Sequence, residues 1–298
     1  MTDRPPGPPL PPGPPLPPGR RQRPWPSRRR LLAAVVAVVL VAGLGASAVI
    51  GYRLVVAPTC AVTAAGVTLH FTPEQTRHAA TITALAVKRG LPARAATIAL
   101  ATALQESGLR NLDYGDRDSL GLFQQRPSQG WGTPAQVQDP IHATNAFYDA
   151  LVKVTDYQSR DITEVAQAVQ RSAYPLAYRD HEQEGRVLAS ALTGHSTAGL
   201  GCRLGRPDPA PGPEQLVADV RTQFGVVATV KGSVISVPTA SVTHAWAVAS
   251  WAVAQAEKQS VTQVVIGGQR WDQTSRSATW TGTFDPGTAT PVVAISLA

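Results

Sequence analysis

The sequence predicts a mainly α-helical exported domain and a small α+β domain, both behind an N-terminal transmembrane helix. Three observations predict it. Leu31 to Tyr52 is a run of 22 residues without a charge. Helix start and stop signals recur through residues 60–202. Alternating, β-branched stretches follow a Pro-rich break at 205–215.

The leader comes first. Residues 5–18 read PPGPPLPPGPPLPP. Proline fixes φ and removes donors, so residues 1–30 are expected to be a polyproline-II or disordered tail. As a helix, residues 31–52 would be roughly 33 Å long, enough to cross a bilayer. Seven arginines precede this run and Arg53 alone follows it closely. The positive-inside rule then puts the N-terminus in the cytoplasm and the remainder outside, held as a single-pass protein of the cell membrane. A signal peptide cleaved near Ala46–Ala48 is the alternative, and either way the remainder is extracytoplasmic.

The net charge of +7 lies wholly in residues 1–53. Residues 54–298 carry 19 basic and 19 acidic side chains, so the folded part has no basic excess with which to grip nucleic acid. The two cysteines, Cys60 and Cys202, are expected to pair outside the cytoplasm and to stabilise one domain by roughly 4–5 kcal/mol. Two separate buried thiols are the alternative. The six histidines show no metal-ligand spacing, so no metal or other cofactor is expected.

Within residues 60–202 the helix signals come in order. Thr72 caps FTPEQTRHAATITALAVKRG, with Pro73 at the first position and Gln75 completing a capping box, and Gly90 stops it. LPARAATIALATALQESG starts at Pro92 and stops at Gly108. A loop rich in Gly, Asp and Ser fills 109–133. Thr133-Pro134 and Asp139-Pro140 open two more helices, Asp161 opens another, and RDHEQEGRVLASALTG is the last. This predicts one compact all-helical domain. Residues 203–213 are expected to be a linker. Residues 214–298 mix two helical stretches with the strand-like VVATVKGSVISV, VTQVVIGGQRW and PVVAISLA.

The chemistry centres on Glu106, which falls at the C-terminal end of its predicted helix. The dipole there is negative, and Leu104, Leu109, Leu122 and Phe123 stand near it in sequence. Both the field and loss of water raise a carboxyl pKa. An acid still protonated near neutral pH is what protonation of a glycosidic leaving oxygen requires. The inert alternative is a solvated helix-end glutamate.

The motifs ALQESGLRN and SLGLFQQRP resemble those of the lytic transglycosylase and goose-type lysozyme family. That family has a helix ending in Glu-Ser-Gly or Glu-Ser-Ala and then a Gly-Leu-Met-Gln run. Glu106-Ser107-Gly108 matches the first, and Gly121-Leu122-Phe123-Gln124 the second, with Phe123 in place of methionine. The family's third motif, Tyr-Asn-Ala-Gly, has its counterpart in SAYPLAY at 172–178, where Tyr174 keeps the tyrosine, Pro175 replaces the asparagine and Tyr178 is the alternate. The resemblance covers about residues 70–195.

The resemblance implies a lysozyme-like domain that cleaves the β-1,4 bond between N-acetylmuramic acid and N-acetylglucosamine in peptidoglycan strands. Glu106 would be the general acid and base, and Gln124, Tyr174, Ser107 and Phe123 would line the substrate site, Ser107 mainly bracing the turn. Transglycosylation and hydrolysis both stay open. Asp113, Asp116 and Asp118 either position a water or belong to a solvated loop. Trp131 either stacks on a sugar or fills a loop core.

The C-terminal AWAVASWAVAQAEKQSVTQVVIGGQRW is weakly similar to D-Ala-D-Ala zinc peptidases, without their His-x-His strand. Such a kinship implies a non-catalytic relative; alternatively Trp246, Trp251 and Trp271 are simply core. The competing functional expectation is an inactive glycan-binding or cell-wall scaffold protein. The high Ala, Val and Arg content with few lysines fits a GC-rich bacterium. The sequence leaves the oligomeric state open.

Overall fold

The computed structural model describes residues 57–298 except 171–177, 208, 210–211, 275–277 and 286–291, together with Val35, Val36, Val39, Leu40, Ala42 and Gly43. The expected tail at 1–30 and most of the expected span at 31–52 lie outside the described residues. Among the described residues no helix is long and apolar enough to cross a membrane. The chain divides into two units, residues 1–56 and 57–298. The second carries everything below.

The expectation of a mainly α domain is corrected. Residues 59–203 begin and end in an antiparallel sheet. Strands β1 (Thr59–Ala64) and β2 (Val67–Phe71) form a hairpin across Ala65 and Gly66, which both have positive φ, 50° and 77°. That is the pattern of a two-residue turn whose twist suits the strands. Strand β3 (Leu200–Arg203) pairs with the other edge of β1, giving the order β2-β1-β3. Cys60 and Cys202 face each other across β1 and β3 and are joined by a disulfide that closes 142 residues of chain.

Between these strands lie the helices. Helix α1 (Pro73–Lys88) starts with the expected capping box, Thr72 and Gln75 bonding each other's backbone amides. Helix α2 (Ala93–Ser107) is buried along almost its whole length, because alanine lets neighbours approach closely. Helices α3 (Pro134–Gln138) and α4 (Pro140–Leu151) follow, capped by Thr133 and Asp139. Then come α5 (Ile162–Gln170) and α6 (Glu182–Leu192). Helix α6 packs closely on α2 at Gly185, where a Cβ would lie 2.8 Å from the Thr97 carbonyl oxygen.

Helix α7 (Pro213–Phe224) opens the rest. It is followed by β4 (Thr229–Lys231), β5 (Val234–Pro238), α8 (Val242–Ala254), α9 (Ala256–Gln259), β6 (Val261–Ile266), β7 (Gln269–Asp272) and β8 (Val292–Leu297). These strands make one antiparallel sheet, β4-β5-β8-β6-β7. The stretch VTQVVIGGQRW is a hairpin rather than one strand, turning at Gly267 and Gly268.

Helix α8 explains how the molecule holds together. Residues 245–254 are all buried, so the helix is apolar on every side. It touches β6 and β8 and also α1, α6 and β3. Trp246, Trp251 and Trp271 are core residues. Trp246 sits edge-on to Trp280 at 5.1 Å, and Trp251 donates its ring N–H to Gln223 Oε1 at 2.8 Å.

Candidate active site

Glu106 is the penultimate residue of α2. The helix stops at Gly108, whose φ of 62° suits a residue without a side chain, and Leu109 continues in the left-handed region at 59°. This double left-handed step turns the chain sharply away after Glu106. Ser107 braces the turn. Its Oγ donates to the Ala103 carbonyl at 3.0 Å and approaches the Leu122 carbonyl at 2.8 Å, tying the helix end to the Gly-Leu-Phe-Gln run.

The run 112–125 folds back on itself. Leu112 bridges Gly121, and Leu120 bridges Gln125. Leu122 and Phe123 are fully buried, and Phe123 stacks on Phe147 at 4.7 Å. Phe123 therefore anchors the run in the core and offers no side-chain surface to a substrate. Gln124 takes a strained φ of 46°. Its Nε2 donates to the Tyr114 and Gly121 carbonyls, both at 3.3 Å, so its amide closes the loop.

Tyr174 lies outside the described residues. The alternate tyrosine is the one brought to the acid: the Tyr178 hydroxyl donates to Glu106 Oε1 at 2.7 Å. Tyr178 is almost wholly buried, and Glu106 is partly so. Burial is the largest influence on the Glu106 carboxyl and pushes its pKa up. Tyr178, Gln170 and the positive charge of Arg126 pull it back toward the charged form, and the net direction is upward.

Gln170 and Arg126 were not legible as site residues. Gln170 is the last residue of α5, and its Nε2 donates to the Phe123 carbonyl at 2.7 Å, pinning α5 beside the acid. No local motif marks it, because only the packing of α5 on the loop brings it there. Arg126 follows the Gly-Leu-Phe-Gln-Gln run directly, and it is paired with Asp116 at 2.5 Å and Ser119 at 3.0 Å.

The aspartates separate clearly. Asp116 is taken by Arg126. Asp118 accepts from the Ser128 amide at 2.8 Å and from its hydroxyl at 3.0 Å, which holds its pKa below the ordinary carboxylate value. Both act as loop braces. Asp113 is exposed. Trp131 is half-buried against the core and has one side on a 530 Å³ groove with Ala150 and Val169. Among the described residues no group of three His, Cys, Asp or Glu side chains forms a metal site.

No protein-family model and no curated protein matches this chain.

Proposed function

We propose that the chain cleaves the β-1,4 bond between N-acetylmuramic acid and N-acetylglucosamine in peptidoglycan, with Glu106 as general acid and then base. The observation that carries this reading is the Glu106–Tyr178 pair: a helix-end carboxyl, raised by burial, with one oxygen held by a buried phenol. Tyr178 fixes the carboxyl through Oε1, and the raised pKa keeps the transferable proton on it. Glu106 gives that proton to the glycosidic oxygen as the bond to C1 breaks. The acetamido carbonyl oxygen of the same sugar closes on C1 and carries the positive charge. The Glu106 carboxylate then takes a proton from the muramic C6 hydroxyl, or from water, as that oxygen attacks C1 and releases the acetamido group.

Two further features support this route. Asp116 and Asp118 are committed to the loop, so neither stands ready as a nucleophile. Three non-glycine residues, Leu109, Arg117 and Gln124, take left-handed φ here, a concentration of backbone strain of the kind found at working sites. The uncharged run 31–52 and the arginines before it support action outside the cytoplasm, close to the membrane.

The test is digestion of purified peptidoglycan. The unmutated chain should release muropeptides, and Glu106→Gln should lower that release about 10²–10⁴-fold, the usual share of a general acid. Anhydro ends identify transglycosylation; reducing ends identify hydrolysis. If the unmutated, folded protein releases nothing, the glycan-binding scaffold takes the place of the enzyme.

A further inference from the structure

A second cavity lies outside the Glu106 site, where α1, the start of α4, α7 and the α8–α9 turn meet. Its volume is about 450 Å³, within the range of small-ligand sites. Two cations, Arg77 and Lys258, and two carboxylates, Asp139 and Asp219, line it together with glutamines. The formal charges cancel, so the hydrogen-bond inventory decides what the cavity can take.

Both carboxylates are already satisfied. Asp139 caps α4, its two oxygens accepting from the Ile141 and His142 amides. Asp219 accepts from Gln215 Nε2 at 3.1 Å and from Gln259 Nε2 at 2.6 Å. The donors are not. Among the described residues, Arg77 makes only a 3.4 Å contact with His78, and Lys258 has no hydrogen bond or ion pair. Gln223 and Gln255 are at most 5% exposed and border the cavity. The carbonyl oxygen of Gln223 is taken by Trp251, leaving its NH₂ without a described acceptor. Burial strips part of Arg77's hydration, which Glu74 and Glu257 offset from beyond ion-pair distance.

Among the described residues the cations are unpaired while the carboxylates are engaged, and the glutamine amides offer both donors and acceptors, which selects a ligand with a carboxylate beside a peptide group. We propose that it binds a short peptide by its free terminal carboxylate. Arg77 and Lys258 take the carboxylate, and the Gln223 and Gln255 amides take the neighbouring peptide carbonyl. A guanidinium matches a carboxylate with two parallel N–H donors, which an isolated point charge does not. The amide groups favour a peptide over a bare anion, because a carboxamide pairs with a peptide group on equal terms. The site uses none of the residues around Glu106.

The test is isothermal titration of the full chain with acetyl-D-Ala-D-Ala, acetyl-L-Ala-L-Ala, the C-terminal amide of each, and inorganic phosphate. At least one free-acid dipeptide should bind, and its amide about tenfold more weakly, as expected for loss of a charge-assisted hydrogen bond. Preference for the D series identifies a cell-wall peptide as the source, and preference for the L series a protein C-terminus. Arg77→Gln should weaken binding by about the same factor. Lys258→Gln, at an exposed position, provides a second variant if Arg77→Gln does not fold. Glu106→Gln should bind the peptide as the parent does, so failure of glycan cleavage and failure of this site are read separately. Equal binding of acid and amide, equally tight binding of phosphate, or no binding by the folded chain overturns the proposal.

Discussion

Glu106 feels two opposed influences, burial raising its pKa and the Tyr178 hydroxyl lowering it. A general acid works while protonated, so cleavage should fall as pH rises through the Glu106 pKa, from a limb lying above the ordinary carboxylate range. Tyr178→Phe removes a donor that favours the charged form. That limb should therefore move to higher pH, while the rate at the optimum falls about tenfold through loss of orientation. A pH–rate profile of the variant checks both. A limb unmoved or shifted to lower pH would show that the phenol does not set the acid's charge state. At this scale the motifs put Glu106 and Ser107 at a helix end, and the helix does end there, at Ser107 with Gly108 as its cap. They were less informative about Gln124, which spends its amide on Tyr114 and Gly121, and about Phe123, which is core. The tyrosine that meets the acid, Tyr178, comes from the turn before α6 and was only the alternate in the sequence. A contact across 72 residues depends on how helices pack, and local spacing does not encode that.

Among the elements, helices were the legible part. Thr72, Thr133 and Asp139 cap where their side chains predicted. The first sheet was missed for a physical reason. Strand β1 alternates buried and open residues as TCAVTA, but its turn is Ala65-Gly66, without the Asn or Asp that marks such turns in a sequence. Strand β3 is four residues long and nearly all buried, so it shows no alternation at all. A test at this scale is Gly185→Ala. Alanine should favour helix α6 by up to about 1 kcal/mol through backbone entropy. Against that, its Cβ would lie 2.8 Å from the Thr97 carbonyl and 3.2 Å from the Ala101 amide nitrogen, both backbone atoms of α2. Overpacking costs about 1–3 kcal/mol and should win. Thermal unfolding should show a lower midpoint, by about 2–4 °C for each net kcal/mol lost. A raised midpoint would mean that α2 and α6 are packed more loosely than described.

For the molecule as a whole, the question is whether the helical residues before Arg203 and the α+β residues after Pro213 unfold together. The Pro-rich stretch between them reads as a linker, yet α8, buried from Ala245 to Ala254, packs against both the C-terminal sheet and α1 and α6. A helix apolar on every side has no solvent face to fall back on if either half leaves. Residues 57–298 should therefore unfold in one cooperative transition. Two probes separate the halves. Four of the six tryptophans, Trp246, Trp251, Trp271 and Trp280, lie after residue 213, so fluorescence reports mainly that half. Far-UV circular dichroism is dominated by α1 to α6, which lie before it. The two curves should coincide for a two-state unit. Trp246→Ala should lower both together, since removing this fully buried ring costs about 3–5 kcal/mol. Separate midpoints, or a fluorescence transition that moves while the dichroism curve stays, would mean that α8 belongs to the C-terminal half alone. The peptide cavity at the α1–α7–α8 junction would then rest on a mobile seam.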